Sequence, residues 1–456
     1  MSTAAPAPEA DTPVADEPAE ATSSAATDPT ELVEVRVDAL IVGRTLTHDI
    51  VDGDGVLLLA AGQAVTSEFK AKLKERQLGT ITVSAADAGR VSLSKDLAEK
   101  FRTKVELDGE TTQKLDTIID CGLLTFDNNG PAMKDSMTFV GRKAYDQKQR
   151  ARLVEKHEEN GQLLSSVMQD ALAGNNVDGN VVTRMATGYL KEMSDDTDSV
   201  LTSTMENIKG ADIFKRSLES STLAMALAVE MGLDEENVRV LGISGLVHDW
   251  GMVLVPEEVR NAPRQLTAAE MLEIKKHPIY SLEILQKVSA LPKIVSVVAY
   301  QVHERFNGRG YPRGRRGNSI PLFARILQVA DAFVGMTSDR PHRPPFMRYA
   351  AMEGLLHMAR ERSVDPDIVR ALLQVQTLFP LGSFVTLSDD TTARVLRRNG
   401  DDYAHPIVQR LTDAEGNLVD AEADENIVAT EDDGVAIVQA LPTPGSDEIA
   451  FSDDRR

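Results

Sequence analysis

The chain has 456 residues, of which 42% are hydrophobic, with a formal net charge of −22 and a single cysteine, Cys121. That length accommodates about three domains with a substantial core, one cysteine excludes an internal disulfide framework and a multi-cysteine zinc site, and the acidic balance argues against general nucleic-acid binding. No stretch approaches the ~20 apolar residues that cross a bilayer and the first residues form no basic-then-apolar leader, so a cytoplasmic protein with neither DNA nor membrane as a partner is expected.

Residues 1–30 are mostly Ala, Pro, Glu, Thr and Asp with almost no large apolar side chain, so they cannot offset the entropy of folding and are expected to be a disordered tail. From Leu32 the pattern changes. Val33 to Leu40 alternates as a strand does, Asp54-Gly55 signals a turn before Val56 to Leu59, Thr66 or Ser67 can cap a helix ending near Gln77, and Thr80 to Ser84 reads as another strand. Residues 31–90 are thus predicted to be a small β-rich module. Residues 91–204 read as a helical linker or regulatory region, although 95–145 carries no clear pattern. Leu164, Val167, Met168, Ala171 and Leu172 recur at helical spacing up to Gly174, a C-cap, and Val181, Val182, Met185, Ala186, Tyr189 and Met193 line a second helix. Such stripes are core faces or the faces of a homodimer.

The densest helical signal lies between about Lys215 and Gln376. Gly232 ends one helix, Asp365-Pro366 reads as N-cap and first position of another, and Thr267 with Glu270 makes a capping box that is expected to open the helix carrying His277. After Leu381 short alternating segments return at Phe384 to Leu387, Ala393 to Leu396 and Pro406 to Leu411. They predict a small β module over 386–456 with an acidic, frayed end.

Five ionisable residues stand out against this background. His248-Asp249 closes the apolar run Val238, Leu241, Ile243, Leu246 and Val247, and Asp331 interrupts Ile326 to Phe333, where a charge is costly to bury without a partner. His277 and His303 complete a set of imidazoles and carboxylates of the kind that hold a divalent metal in a hydrolytic site. Beside His303, Arg305, Arg309, Arg313, Arg315 and Arg316 alternate with Gly308, Gly310, Gly314 and Gly317, a pattern in which guanidinium groups can fork onto phosphate oxygens.

His248-Asp249-Trp-Gly251, Lys276-His277-Pro278, Val302-His303-Glu304, Gly308-Arg-Gly-Tyr-Pro312 and Leu322 to Asp331 followed by Met336 to Pro341 together resemble the HD-GYP family of bacterial cyclic di-GMP phosphodiesterases. The resemblance covers roughly residues 205–385. It implies a mainly α fold, with an all-helical HD-type domain at 205–385 flanked by small β-rich N- and C-terminal modules. It further implies a divalent metal cofactor, iron, manganese or another, with Asp249 as bridge, His248 and Asp331 on one ion, His277 and His303 on the other, and His248-Asp249 as the catalytic pair. Arg305, Gly308, Arg309, Gly310, Tyr311, Pro312 and Arg313 become the expected substrate-binding loop for cyclic di-GMP or a related dinucleotide, and the same loop is a candidate contact for signalling proteins. Three positions depart from the family: Arg216 and Val302 stand where it has histidine ligands, and Met252 where it has a phosphate-contacting lysine. Arginine and valine offer a metal no lone pair, so one ion or none is expected, hydrolysis weakened or lost, and a non-catalytic nucleotide- or protein-binding module is the alternative. In that alternative the Arg216 guanidinium is expected to pair with Asp249 and Asp331.

Overall fold

The computed structural model describes residues 32–450, apart from 38–39, 41–43, 54, 92–105, 123–126 and 206–211. The tail expected at 1–30 therefore lies outside the described residues, as do 451–456. Strands β1 (Leu32–Arg36), β2 (Ile50–Val51) and β3 (Leu57–Leu59), helix α1 (Ser67–Glu75), β4 (Thr80–Ser84) and α2 (Ala85–Val91) make the first unit. β1 pairs antiparallel with β4, setting Val35 against Ile81, and β2 pairs with β3. The Thr66 hydroxyl accepts the Phe69 amide at 3.0 Å and starts α1. Val35, Leu46, Ile50, Val65, Leu73, Ile81 and Val83 form a core of their own.

The chain continues through α3 (Glu110–Asp120), α4 (Gln147–Leu172), β5 (Val177–Asp178), α5 (Asn180–Met205), α6 (Ile213–Glu230) and α7 (Glu235–Val247). Asp146 caps α4 by accepting the amides of Lys148 and Gln149, and Gly174 follows its end at φ 83°. Next come α8 (Glu257–Arg260), α9 (Ala268–Ile274), α10 (His277–Leu285), β6 (Val288–Ser289), α11 (Lys293–Gln301), α12 (Leu322–Thr337), α13 (Arg348–Arg360) and α14 (Pro366–Gln376). Strands β7 (Phe384–Leu387), β8 (Thr392–Asn399), β9 (Asp402–Arg410), β10 (Ile427–Ala429) and β11 (Ile437–Leu441) close the chain as an antiparallel sheet in the order β10-β9-β8-β7-β11. The fold is mainly α, with a helical domain between small β regions.

One apolar cluster runs from Leu164 and Met168 of α4 and Met185 and Tyr189 of α5 through α6, α7 and α12 into Val385, Val395 and Val408 of the sheet. The stripes on α4 and α5 are thus used inside the chain rather than left for a second copy. The sheet is also tied in by charge. α5 kinks at Asp196 (φ −156°, ψ 88°), and there both carboxylate oxygens take the Arg397 guanidinium at 2.8 Å, while Arg398 Nε donates to Asp198 at 2.6 Å.

Two expectations are corrected. The Thr267–Glu270 capping box is present, but the helix it opens ends at Ile274, and His277 starts the next one. Pro278 is the reason: it has no N–H for the Ile274 carbonyl, so the helix cannot run through. The acidic end is not frayed as far as residue 450, because Ile437 and Leu441 give it a strand on β7 and the amide of Met347 donates to the Ile449 carbonyl. Alternating apolar residues, masked by the acidic average of that stretch, are enough to pair it.

Candidate metal centre

Helix ends position the candidate ligands. His248 is the C-cap residue of α7, where the carbonyl of Gly245 no longer has a full helical partner, and its Nδ1 lies 2.8 Å from that oxygen. His277 Nδ1 lies 2.7 Å from the Ile274 carbonyl, the oxygen that Pro278 leaves free. Both rings therefore carry the proton on Nδ1 and turn Nε2 inward. His303 follows α11 directly, and Asp331 projects from α12, whose other residues, Ile326, Leu327, Val329, Ala330 and Phe333, are fully buried.

The three Nε2 atoms converge on one oxygen. Asp249 Oδ1 is 3.6 Å from His248, 3.2 Å from His277 and 3.5 Å from His303, and His248 is also 3.6 Å from Asp331 Oδ1. His277 and His303 face each other at 2.8 Å. The ligand atoms fall into two triads sharing one member: Asp249, His277 and His303, and His248, Asp249 and Asp331. Two ligands each about 2.1 Å from one ion stand about 3.0–3.4 Å apart, close to the separations around Asp249, while His277 and His303 lie at hydrogen-bond distance from each other. His248 Nε2 and Asp249 Oδ1 are buried with no hydrogen-bond partner. Buried, inward-facing and unsatisfied, they are the atoms a cation would complete, so the donor set fits a divalent metal.

Charge follows the same geometry. Burial alone would lower the His248 pKa, but Asp249, and then Asp331, outweigh it and lift the value to about 9. Burial would raise Asp249, yet the charge of His248 and the adjacent imidazoles of His277 and His303 hold it well below the carboxylate range. Asp331 is likewise lowered, against burial, by the His248 imidazole 3.6 Å away. Burial, with His277 nearby, lowers His303.

Sequence reasoning missed the groups that brace these ligands. Ser281 Oγ donates to the His248 carbonyl at 2.7 Å and accepts the Gly251 amide at 2.8 Å, stitching the turn after α7 to α10. Gly251 is required there, since a Cβ would come within 2.1 Å of the His277 carbonyl oxygen. Glu304, fully buried, accepts the amides of Arg313 at 2.6 Å and Arg315 at 2.9 Å, and burial raises its pKa. Tyr311 stacks on His303 with ring centroids 5.1 Å apart. A Cβ on Gly310 would lie 2.2 Å from the Arg305 nitrogen, so only glycine lets the loop fold this tightly. Gly308, with φ 81°, and Pro312 belong to the same turn. Arg305 and Arg309 are exposed, whereas Arg313 is turned away to Asp108 at 2.7 Å and Asp116 at 2.9 Å. The one signal for Glu304 was its place directly after His303 in the motif Val302-His303-Glu304.

The departing positions are filled, not open. Val302 joins the main apolar cluster, and Met252 packs with Ile213, Val255 and Val259. Arg216, in the first turn of α6, is buried but forms no ion pair with Asp249 or Asp331 among the described residues, so the expected salt bridge is absent, and its Nε has no hydrogen-bond partner. His248, already between the two carboxylates, takes that role. A second guanidinium, Arg340, stands close by: burial and then the Arg216 charge lower its pKa, opposed by Asp331 and Asp249. Asp212, a conceivable substitute ligand, caps α6 instead by accepting the Phe214 amide at 2.8 Å.

Residues 199–368 match the HD domain family. The cyclic di-GMP phosphodiesterase response regulator RpfG of Xanthomonas campestris is 37% identical over 155 residues, covering 34% of this chain and 41% of that protein. A cyclic di-GMP phosphodiesterase of Pseudomonas aeruginosa is 32% identical over 197 residues, 43% of this chain and 47% of the relative. The 3′3′-cGAMP-specific phosphodiesterase 1 of Vibrio cholerae is 37% identical over 176 residues, 39% of this chain and 41% of the relative. The chain thus spans less than half the length of these relatives. An HDG"Y"P protein from Bdellovibrio bacteriovorus has a TM-score of 0.43 at 18% identity, over 75% of this chain and 98% of its own. Among the described residues no helix is long and apolar enough to cross a membrane. The ligand spacing and the matched span agree, and what the chain resembles over residues 199–368 is an HD domain.

Proposed function

We propose that this chain acts in cyclic dinucleotide signalling, holding a single divalent ion, iron or manganese, and hydrolysing cyclic di-GMP or a related dinucleotide at a strongly reduced rate. The observation that carries this reading is the shared-carboxylate pair of triads, intact beside Arg216 and Arg340. Arg340 bears on Asp331 first and Asp249 second, and Arg216 adds its charge beside Arg340; on that ground Asp249, His277 and His303 are the residues assigned to the retained ion. An ion held there supplies Lewis acidity toward a phosphoryl oxygen. Arg305 and Arg309, exposed beside Tyr311, are assigned to the phosphates, with Gly308, Gly310 and Pro312 letting the backbone approach. Met252 cannot donate the hydrogen bond a lysine would, which removes charge stabilisation from the reaction.

The test is metal content by mass spectrometry together with cyclic di-GMP hydrolysis followed by chromatography, on the wild type and Arg216→His. One ion or fewer, slow linearisation, and a rise in both with Arg216→His are expected. Two tightly held ions with turnover indifferent to Arg216→His would overturn the reading. The missing imidazoles at Arg216 and Val302 also favour a second reading, a module that binds the dinucleotide without cleaving it. Calorimetric binding with no product over many hours would select that one.

A further inference from the structure

The Gly-Tyr-Pro loop is held from two sides. From inside, the Glu304 carboxylate takes the amides of Arg313 and Arg315, and the Tyr311 amide donates to the His303 carbonyl at 3.1 Å. From outside, α3 lies across the side chains of the same two arginines. Asp116 accepts from Arg313 Nε at 2.9 Å, from an Arg315 terminal nitrogen at 2.7 Å and from the Tyr300 hydroxyl at 3.2 Å. Asp108 takes another Arg313 nitrogen at 2.7 Å, and Asp120 pairs with Arg315. On the adjoining face of α3, Leu115 and Ile119, one turn apart, pack on Ile279, Leu282 and Tyr300. Gln286 adds a bond to the Thr111 hydroxyl at 2.8 Å.

An acidic amphipathic helix therefore sits on an apolar floor with a basic rim, the arrangement by which grooves capture helices. We propose that this face of α10, α11 and the Gly-Tyr-Pro loop is a docking surface for such a helix, and that its occupant is the chain's own α3, reversibly attached. α3 spans 11 residues, below the roughly 12–15 that an isolated helix needs to persist in water, so its order depends on the surface. Its carboxylates fill the guanidinium forks that would otherwise be free for an acidic or phosphorylated ligand. Lifting it exposes Ile279, Leu282 and Tyr300 beside two unpaired arginines, and it frees the outer half of the loop that stacks on His303.

Hydrogen exchange read by mass spectrometry on the full chain tests this. Asp116→Asn should speed exchange in residues 110–120 by about tenfold or more, as losing charged hydrogen bonds predicts, and raising salt should do the same in the wild type. Exchange in α12 should not change. A synthetic peptide of residues 106–122 should bind the full chain carrying Asp108→Asn, Asp116→Asn and Asp120→Asn, and bind the wild type far less. Unchanged exchange in α3, or equal acceleration of α3 and α12, would overturn the docking proposal. Protection of α3 that falls on dilution would assign the occupant to a second copy and overturn the intramolecular assignment.

Discussion

Removing metal turns the candidate centre into a proton trap, and the consequence is measurable. Without an ion, the cation between Asp249 and Asp331 is His248 itself, whose pKa stands at about 9 against 6.5 for an ordinary imidazole. At ~1.4 kcal/mol per pH unit that difference is worth about 3 kcal/mol of stability. The folded value is the raised one, so the contribution is complete below about pH 6.5 and fades as pH climbs through 9. His303 and His157 are lowered, so their linkage acts only below the ordinary imidazole range, and the depressed Asp249 and Asp331 act lower still. Urea unfolding of chelator-treated protein between pH 7 and 9.5 should therefore show a steady loss of stability approaching that amount. His248→Gln keeps a polar side chain but cannot titrate, so it should flatten the curve. An ion on Asp249, His277 and His303 adds a cation beside His248 and lowers its pKa, so metal-loaded protein should show a smaller loss over this range. Parallel pH curves for wild type and His248→Gln would refute the reasoning.

Asp196→Asn strands the buried Arg397 guanidinium and should cost about 3–5 kcal/mol in denaturant unfolding, whereas the pair Asp196→Asn with Arg397→Met should recover much of that loss. Glu304→Gln weakens two amide bonds to a charged acceptor, each worth about 1.5–3 kcal/mol; hydrogen exchange in residues 305–317 should accelerate while α6 stays protected. Gly310→Ala forces a methyl against the Arg305 nitrogen and should weaken dinucleotide binding by calorimetry without lowering the pH 7 melting temperature by more than a few degrees. His277→Ala should abolish retained metal, while Asp331→Ala should leave a measurable fraction, since the assigned ion does not use Asp331.

How much the sequence disclosed depended on how local the signal was. Capping chemistry fixed α1, α14 and the start of α9, and the alternation at Thr80 to Ser84 matched β4 residue for residue. The five ionisable residues were legible because each was anomalous among apolar neighbours, and the structure draws all five together. Arg313 was not legible: its neighbours in sequence suggested a phosphate, while its partner, Asp116, lies 197 residues away. Ser281 looked like any small polar residue on a helix, since its importance rests on two main-chain atoms of a distant turn. The fate of Arg216 was equally hidden, because charge spacing along a chain does not reveal that a histidine already stands between the two carboxylates.

The separation of the two apolar clusters has a thermodynamic corollary. Residues from Leu153 to Val435 share one cluster, whereas the core of the first unit is separate, and among the described residues the side-chain links between the unit and the rest include Arg44 with Asp170 at 2.9 Å and with the Ser166 carbonyl at 3.4 Å and the exposed Arg36 with Glu257 at 3.5 Å. Links of that kind contribute little each. The chain should melt as two cooperative blocks, the smaller independent of the larger. Among the described residues the two blocks share no apolar cluster, so a perturbation of the first unit should reach the rest of the chain as a change in position or tether rather than as strain through a common interior.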